Sequence, residues 1–471
     1  MTLPRSAAQS LLPPTEDLLV SGGDERLALD PSSGANRYGC APRPDAGLLD
    51  FASSTASVIS PRGQAAAEAL RRRLALGIER RGTIRTYERA LGRLQGELAA
   101  LLGTHDLPGL DILVSPSGTD LHALALALCR NSQGRALTII LPEAAETGSG
   151  VPAALSGPGL RMVHPLKAGA PELRQVPIRE PDGQPRSTAD VDAECSALAE
   201  QAIAEGRQVL LVVLDVSKTG LRAPSRAAAI ELERRFPDRL TLLVDACQAR
   251  LSRASLRRWL EQGALVALTG SKFFAGPAFS GALLVPACRQ TGMAEIPPLA
   301  DGQPNFGLLL RWEAALAELR LFAALPDAAV AACLTEFSTA MLQRLEQDAA
   351  FDPVLPPARP AGAREWDDVP GILPFRLRDT AGQFLDMAAV SALYKALPRD
   401  LSGPGKPFSG VRCRLGQPVP CGTEGAALRL CLSSRQIVSA IAAGSAAELV
   451  TQAHAILDKT ALLARSLAKA I

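Results

Sequence analysis

The central part of this chain alternates short, continuous apolar segments with segments of helical periodicity, and no other feature constrains its fold as strongly. Apolar runs without polar alternation are typical of strands buried on both faces, as in a mostly parallel sheet covered by helices. The predicted strands are residues 111–115, 136–141, 160–164, 209–214, 240–244, 264–268 and 282–285, and the predicted helices between them include residues 121–128, 187–205 and 226–235. We therefore predict an α/β fold with a mostly parallel, doubly wound sheet, whose ligands bind beyond the carboxyl ends of the strands.

The predicted domain organisation has three parts, because 471 residues are too many for a single simple core. Residues 1–60 are predicted to form an N-terminal arm, since most of this segment is rich in Pro, Gly, Asp and Ser and has no sustained period. Residues 61–330 are predicted to form a large domain that contains this sheet, and residues 331–471 a smaller α+β C-terminal domain. Within the large domain, residues 166–187 are rich in charged residues, Pro and Gly, and are predicted to be an exposed insertion.

Charge and composition exclude several classes of function. The 50 Lys and Arg residues nearly balance the 48 Asp and Glu residues, so the net charge of +2 does not indicate nucleic acid or an anionic membrane as a partner. No window approaches the run of about 18 apolar residues that a membrane-spanning helix needs, and the first 22 residues lack the compact apolar block of a signal peptide. The nine cysteines are scattered without CxxC spacing. We therefore expect reduced thiols, no metal site and a cytoplasmic location.

Lys272 is the first candidate for chemistry. It follows the apolar run at residues 264–268 and precedes a Gly-Pro turn at residues 276–277. Low-dielectric surroundings at the end of a buried strand lower the pKa of a lysine, and its neutral amine can then form an imine with a carbonyl group. Taken alone, a lysine beside such a turn is more typical of a solvated surface, so the interpretation depends on its partners.

Two further polar motifs also follow predicted strands. Ser117, Gly118 and Thr119 open a helix, where Gly118 leaves the backbone accessible, Thr119 can donate its hydroxyl, and the helix N-terminus attracts an anion such as phosphate. A capped helix without a ligand uses the same residue types. Asp245 ends an aliphatic strand three residues before Gln248, and a carboxylate in that position is costly to bury without a partner.

Thr119, Asp245, Gln248 and Lys272, in this order, resemble the fold-type-I enzymes that use pyridoxal 5'-phosphate, in particular the class V aminotransferase and cysteine desulfurase superfamily. The resemblance extends over roughly residues 60–465. It implies that Asp245 pairs with the pyridine nitrogen and that Gln248 reaches the phenolic oxygen of the ring. It also implies that Lys272 carries the cofactor as an imine and then acts as base or acid at the α carbon of the substrate.

The resemblance implies roles for further residues. The phosphate of the cofactor would be held by the opening of the helix, at Ser117, Gly118 and Thr119, with Thr269 and Ser271 as additional candidates. Ser217, in the turn after the strand at residues 209–214, is the candidate for a contact near the phenolic oxygen, with Asp215 as second choice; an ordinary turn is the alternative. Arg429 resembles the arginine that binds the α-carboxylate of the substrate, a task that suits a bidentate guanidinium.

The sequence also departs from the desulfurase pattern. Ser271 stands directly before the lysine, where desulfurases have a histidine. Residues 143–150 contain neither a histidine nor an aromatic residue that could stack on the ring, so Glu146 or Thr147 is expected to face it instead. His122 is interpreted as a packed or capping histidine. Cys413 and Cys421 precede Arg429 but lack the small-residue context of a persulfide-carrying loop.

These observations predict an enzyme that binds a small amino acid as an external aldimine and labilises a bond at or beyond its α carbon, as a transferase or lyase. A desulfurase-like β-elimination is the alternative within this class. A catalytically idle relative that serves as a binding or assembly partner is the alternative outside it. A nucleotide-binding protein is disfavoured, because the first strand–helix turn lacks both GxxxxGK[ST] and GxGxxG. Enzymes of the resembled fold place the site at a two-fold interface, so a homodimer is expected.

Overall fold

The computed structural model describes residues 11–130, 134–156, 170–290, 303–354, 365–403, 410–423 and 425–467. The helices are α1 (Thr15–Leu19), α2 (Pro61–Arg81), α3 (Thr83–Leu101), α4 (Gly118–Arg130), α5 (Val151–Ser156), α6 (Thr188–Ala204), α7 (Arg226–Arg235), α8 (Arg253–Glu261), α9 (Phe306–Phe322), α10 (Asp327–Gln347), α11 (Met387–Ala396), α12 (Ser434–Ala443) and α13 (Ala447–Leu467). The strands are β1 (Leu49–Phe51), β2 (Asp111–Ser115), β3 (Leu137–Pro142), β4 (Glu172–Val176), β5 (Gln208–Leu214), β6 (Leu240–Ala246), β7 (Leu265–Thr269), β8 (Gly281–Val285), β9 (Phe351–Pro353), β10 (Ile372–Leu377), β11 (Cys413–Cys421) and β12 (Gly425–Cys431).

Seven strands form the main sheet, in the order β2-β8-β7-β6-β5-β3-β4. Strands β7, β6, β5, β3 and β4 run parallel, whereas β8 is antiparallel to both of its neighbours, β7 and β2. All residues of β3, β5, β6, β7 and β8 are buried. Burial on both faces is the reason that continuous apolar runs mark these strands in the sequence. The predicted α/β fold with a mostly parallel sheet is confirmed.

Serine residues fix the starts of four helices around this sheet. The side chains of Ser60, Ser187, Ser225 and Ser252 each accept a hydrogen bond from the backbone N–H three residues further on. A side-chain oxygen at this position satisfies one of the backbone donors that the first turn of a helix leaves free. Each helix therefore begins at a residue that its local sequence defines.

The second sheet has the order β1-β11-β12-β10-β9. Its edge strand β1 comes from the N-terminal segment and runs parallel to β11. Asp50 of β1 and Arg414 of β11 are partners in the strand register, and their buried side chains form an ion pair at 3.1 Å. Part of the segment predicted as an arm is thus built into the sheet of the C-terminal region.

Helix α9 forms much of the interior, since all but two of its residues are buried, and it packs against α1, α2, α3 and α12. Among the described residues no single helix is long and apolar enough to cross a membrane. Helices α9 and α10, which meet at an angle of 97°, satisfy the length and composition criteria only when they are taken together.

Two of the predicted segments lie between β3 and α6. Residues 160–164, predicted to form a strand, lie outside the described residues. Residues 166–187, predicted to be an exposed insertion, contain edge strand β4, which pairs in parallel with β3. Only Val176 of this strand is buried. The strand was missed because an exposed edge strand carries polar residues and so lacks a continuous apolar run.

Candidate active site

A cavity of about 310 Å³ lies at the carboxyl ends of the parallel strands. Leu214, Asp245 and Thr269, from the ends of β5, β6 and β7, contribute to its lining. The other walls come from the start of α4, the loop before α5, the N-terminal segment, and strands β11 and β12. The edge of the sheet predicted to hold a ligand therefore holds this cavity.

Lys272 lies in the loop after β7 and lines the cavity. The N-terminal segment holds the backbone of this loop, since the Ser57 hydroxyl donates to the Lys272 carbonyl oxygen at 3.1 Å and the Ser57 N–H donates to the Ser271 carbonyl oxygen at 3.2 Å. On the far side Gly276 packs so closely on α9 that a Cβ atom there would lie 2.5 Å from Ala315 Cβ. Burial lowers the pKa of Lys272 and so raises the fraction of neutral, nucleophilic amine.

Asp245 and His122 form a buried pair in the wall of the cavity. His122 Nε2 lies 3.2 Å from Asp245 Oδ2, and His122 Nδ1 lies 2.8 Å from the Gly118 carbonyl oxygen. Burial opposes the charge on Asp245, but the charge of His122 and the backbone N–H of Cys247, 3.1 Å from Oδ1, hold the pKa of the carboxyl below its usual range. Burial likewise opposes the imidazolium, and Asp245 nevertheless raises the pKa of His122. Asp245 is therefore ionised beside His122.

Ser117, Gly118 and Thr119 all line the cavity at the N-terminus of α4. Asp120 caps this helix, because its Oδ2 accepts hydrogen bonds from both the N–H and the hydroxyl of Ser117 at 2.9 Å. A Cβ atom on Gly118 would lie 3.0 Å from Cys247 Sγ, so only glycine fits here without displacement of a neighbour. The free N–H groups of the first helical turn can bind an anion in the cavity.

Gln248 and Arg429 also line the cavity, and both contact the N-terminal segment. Gln248 Nε2 donates to the Ser54 carbonyl oxygen at 3.2 Å. Arg429 donates to Thr55 Oγ1 at 3.0 Å, to the Gln417 carbonyl oxygen at 2.6 Å and to the Lys218 carbonyl oxygen at 3.2 Å. The side chain of Arg429 is only 2% exposed, and burial lowers its pKa. Arg429 is thus a buried cation at the cavity and not a surface residue of the strand.

The three hydroxyl residues predicted near the cofactor differ in their placement. Ser271 lines the cavity, and no described residue accepts a hydrogen bond from its hydroxyl. Thr269 also lines the cavity, but its hydroxyl donates to the Cys247 carbonyl oxygen at 2.6 Å and so cannot donate to a phosphate at the same time. Ser217 is not among the lining residues, because its hydroxyl points to Glu146 Oε2 at 2.8 Å. This placement differs from the prediction that Ser217 faces the ring.

Lys218, next to Ser217, faces the cavity instead. Its Nζ donates to the Ala145 carbonyl oxygen at 3.1 Å. Burial lowers the pKa of Lys218 to about 8, and the charges of Arg429 and Lys272 act in the same direction. The sequence pattern after β5 pointed to this turn, but it could not indicate which of two adjacent side chains faces inward.

Glu146 and Thr147, predicted to face the ring, both line the cavity. The carboxylate of Glu146 is buried and pairs with Arg179 at 2.6 Å, and it accepts from the hydroxyl of Thr219 at 2.5 Å. Glu146 therefore anchors the loop before α5 to the turn that carries Lys218. Its charge is already compensated by Arg179.

The N-terminal segment contributes residues to the lining that the sequence did not assign. Arg26 and Tyr38 line the cavity together with Ser54 and Thr55. Tyr38 belongs to the polar segment Asn36-Arg37-Tyr38-Gly39. Arg26 already pairs with Asp24 at 2.6 Å.

Cys413 and Cys421 do not line the cavity. Both are buried, and their thiols lie within 4 Å of the carbonyl oxygens of Leu397 and Gly183, respectively. Burial raises the pKa of Cys413 to about 12 and raises that of Cys421 as well. Neither thiol is therefore activated for the transfer of sulfur.

The residues of the cavity fit pyridoxal 5'-phosphate. A helix N-terminus supplies an anion site, Asp245 supplies a charged carboxylate, and Lys272 supplies an amine with a lowered pKa. Four buried polar atoms of lining residues have no hydrogen-bond partner among the described residues: Ser54 Oγ, His122 Nε2, Gln248 Oε1 and Arg429 Nε. Buried polar atoms rarely stay unpaired, so their presence in one cavity indicates that a polar ligand completes their hydrogen bonds.

No protein-family model matches the sequence, and no curated protein matches it either. Solved structures do match the fold. The glutamate decarboxylase domain of diaminobutyrate-pyruvate transaminase and L-2,4-diaminobutyrate decarboxylase from Vibrio parahaemolyticus has a TM-score of 0.54 at 14% identity, over 88% of this chain and 80% of that one. Oryza sativa TDC with PLP and tryptamine has a TM-score of 0.53 at 15% identity, over 89% and 84%. A NifS-like protein has a TM-score of 0.53 at 12% identity, over 88% and 99%.

The Oryza sativa TDC structure holds PLP, and this chain shares the fold of all three neighbours. They include a decarboxylase domain as well as a NifS-like protein, so the likeness does not single out class V. At identities of 12–15% the likeness establishes the architecture. The function has to be argued from the cavity itself.

Proposed function

We propose that the protein is a pyridoxal-phosphate-dependent enzyme that acts on an amino acid as a transferase or lyase, of the class V aminotransferase type. One observation carries this proposal: Lys272, Asp245 and the N-terminus of α4 face a single cavity at the carboxyl ends of the strands. These residues come from three separate segments, so their convergence is not a consequence of local sequence. The neighbours of the fold supply a consistent background.

Different residues of the cavity would hold different parts of the cofactor. The N–H groups of the first turn of α4, with the hydroxyls of Thr119 and Ser271, would hold its phosphate. Lys272 Nζ would hold its aldehyde carbon, and Asp245 would keep a proton on its pyridine nitrogen. When bound, pyridoxal phosphate withdraws electrons from the α carbon of an attached amino acid. Lys272, with its lowered pKa, can accept the proton of that carbon and return it.

Arg429 would bind the α-carboxylate of the substrate. Its guanidinium is buried, and its hydrogen bonds to Thr55, Gln417 and Lys218 fix its position without neutralising its charge. A substrate carboxylate would supply the missing negative charge and so orient the α carbon toward Lys272. A desulfurase-type reaction is less well supported, since the thiols of Cys413 and Cys421 lie outside the cavity.

The experiment is a screen of single amino acids with the protein loaded with pyridoxal phosphate. We expect at least one amino acid to change the visible absorbance of the bound cofactor and to yield a product of altered mass. Lys272→Ala should lose both the absorbance band of the bound cofactor and the activity. Lys395→Ala, which changes an exposed lysine of α11, is the matched control and should keep both. Retention of both properties in Lys272→Ala would contradict the proposal.

The same screen tests the idle alternative. A binding or assembly partner would show no change with any amino acid, whatever cofactor it retains. The homodimer expected from the resemblance is part of the proposal, and its mass in solution by light scattering tests it.

A further inference from the structure

The cavity contains two cations that no carboxylate of the described residues pairs with. Among the described residues, the Ala145 carbonyl oxygen is the only acceptor of a hydrogen bond from Lys218 Nζ. The acceptors of Arg429 are the carbonyl oxygens of Lys218 and Gln417 and the hydroxyl of Thr55. Carbonyl and hydroxyl oxygens satisfy hydrogen bonds but leave the charge in place.

The other charges around the cavity are compensated. Asp245 lies beside His122, and Arg26 pairs with Asp24. Glu146 pairs with Arg179 at 2.6 Å. The excess positive charge of the site is therefore concentrated at Lys218 and Arg429.

Two unpaired cations in a common cavity are costly. Removal of a charged group from water is unfavourable unless a counter-charge lies close by. Burial lowers the pKa of both side chains. The charges of Arg429 and Lys272 lower the pKa of Lys218 further, whereas Glu146 acts in the opposite direction on both side chains without pairing with either. A ligand that brings one anionic group to each cation would relieve this cost.

The phosphate of the cofactor does not account for this excess, because it has its own site at α4. The two regions contact different residues of the loop before α5. Ala145 of this loop accepts a hydrogen bond from Lys218. Gly150 of the same loop packs against Thr119, and a Cβ atom on Gly150 would lie 3.2 Å from Thr119 Oγ1. A single α-carboxylate would in turn compensate only Arg429.

We infer that the substrate is an amino acid with a second acid group, and that Arg429 binds its α-carboxylate while Lys218 binds the side-chain acid. This inference rests on the proposed function, which supplies the role of Arg429. It makes Lys218 the residue that determines specificity. The adjacent Ser217 hydroxyl and the Thr219 N–H both bind Glu146, so the turn that carries Lys218 is fixed in place before the substrate arrives.

The test has a binding part and a turnover part. Calorimetry with the purified, cofactor-loaded protein would compare succinate with butyrate, which has the same carbon number but one carboxylate. Turnover would compare aspartate with asparagine and glutamate with glutamine. Lys218→Met removes the charge and keeps the length of the side chain, Lys218→Arg keeps the charge, and Lys395→Met is the control for the loss of an exposed lysine.

We expect the unmodified protein to bind succinate at least about tenfold more tightly than butyrate, a difference of about 1.4 kcal/mol. Lys218→Met should abolish this preference, while Lys218→Arg and Lys395→Met should keep most of it. The acidic member of each amino-acid pair should likewise have the higher kcat/KM, and Lys218→Met should reduce that advantage.

Equal binding of succinate and butyrate would overturn the inference. So would an equal loss for both ligands in Lys218→Met, because Lys218 would then only help Arg429 to hold one carboxylate. Efficient turnover of the neutral amino acids alone would overturn the inference and leave the proposed function standing. A succinate preference that depends on Lys218, without turnover of any amino acid, would support the paired-cation site and contradict the proposed function.

Discussion

His122 Nε2 lies 3.2 Å from Asp245 Oδ2, and this contact joins the first turns of α4 to the end of β6. The other ring nitrogen, Nδ1, faces the Gly118 carbonyl oxygen at 2.8 Å. Nδ1 therefore lies at hydrogen-bonding distance from a carbonyl oxygen, whereas Nε2 makes a close contact with the carboxylate without forming a hydrogen bond. His122 couples the phosphate end of the site to the carboxylate of Asp245.

We expect His122→Phe to destabilise the protein, because it leaves the carboxylate of Asp245 buried without a partner. Loss of one member of a buried pair costs about 3 kcal/mol of unfolding free energy at neutral pH. The pKa of Asp245, which His122 now holds low, should rise in the variant, so that its carboxyl takes up a proton on acidification. The contribution of His122 to the unmodified protein is complete below about pH 6.5, because its pKa is raised in the folded state. The difference in unfolding free energy between the two proteins should therefore shrink from about pH 6 to pH 4.

Urea unfolding over this pH range measures the effect, and binding of pyridoxal phosphate to the same variant should weaken. His105→Phe, at an exposed position, is the matched control. A pH-independent difference would show that His122 only fills space.

We expect Gly118→Ala to lower the unfolding free energy by about 1 kcal/mol, since its Cβ would lie 3.0 Å from Cys247 Sγ in a packed wall. Cys247→Ala in the same chain should recover most of the loss by removing the sulfur atom. Gly92→Ala is the matched control, because a Cβ there meets no atom within 4 Å and should stabilise α3 by about 0.5–1 kcal/mol. Denaturant unfolding distinguishes the three. Failure of the double variant to recover would contradict the steric explanation.

We expect the affinity for succinate to fall as the pH rises above about 8, the pKa to which burial lowers Lys218. The protonated lysine binds the anion, and the neutral amine, which predominates above that pKa, does not. The carboxylates of succinate remain ionised throughout this range. Glu146 and Asp245 favour the charged lysine, while Arg429 and Lys272 oppose it.

Lys218→Arg isolates this titration from that of Lys272, since a guanidinium stays protonated at every pH used. Calorimetric titrations at a series of pH values should show an inflection in the unmodified protein that is absent from the variant. The same inflection in both proteins would assign it to another group.

We expect Arg311→Met to loosen the N-terminal segment. Arg311 is fully buried in α9, and its guanidinium donates to the carbonyl oxygens of Phe279, Leu19 and Ser21 at 2.7, 3.2 and 2.5 Å. Buried acceptors left without a donor cost about 1–3 kcal/mol each, so a loss of about 3 kcal/mol in unfolding free energy is expected. The N-terminal segment, which supplies Tyr38 and Thr55 to the cavity, should also be cleaved faster by protease, because it has lost these hydrogen bonds.

Arg320→Met on the same helix is the matched control. Arg320 is 35% exposed and forms ion pairs with Glu97 and Glu313, so its removal should cost less than about 1 kcal/mol. Limited proteolysis and urea unfolding of both variants make the comparison. Equal effects would show that Arg311 has no special role in holding the segment.

The positions of Thr119, Asp245 and Lys272 at strand and helix ends could be predicted from the sequence, because each belongs to a local pattern. An apolar run defines the strand, and small or polar residues define where it stops. The same reasoning missed strand β4, whose sequence is polar because it lies at an edge. It also could not anticipate that β1, within the predicted arm, joins the second sheet.

The direction of individual side chains depended on long-range packing. Ser217 and Lys218 are neighbours in the chain, yet one hydroxyl turns to Glu146 and the adjacent amine faces the cavity. Thr269 lines the cavity, but its hydroxyl donates a hydrogen bond to the Cys247 carbonyl oxygen. No local periodicity encodes these choices, since each depends on a partner more than 20 residues away.

The sequence by itself determined the alternation of strands and helices and the order of the candidate residues along the chain, because period, caps and turns act over a few residues. Only the tertiary structure decided which charges meet. Arg429 contacts Thr55 across 374 positions of the chain, and Lys218 and Arg429 share a cavity without a carboxylate for either among the described residues. Such an excess of charge arises only when the chain is folded, since electrostatic energy depends on distance and burial and not on separation in sequence.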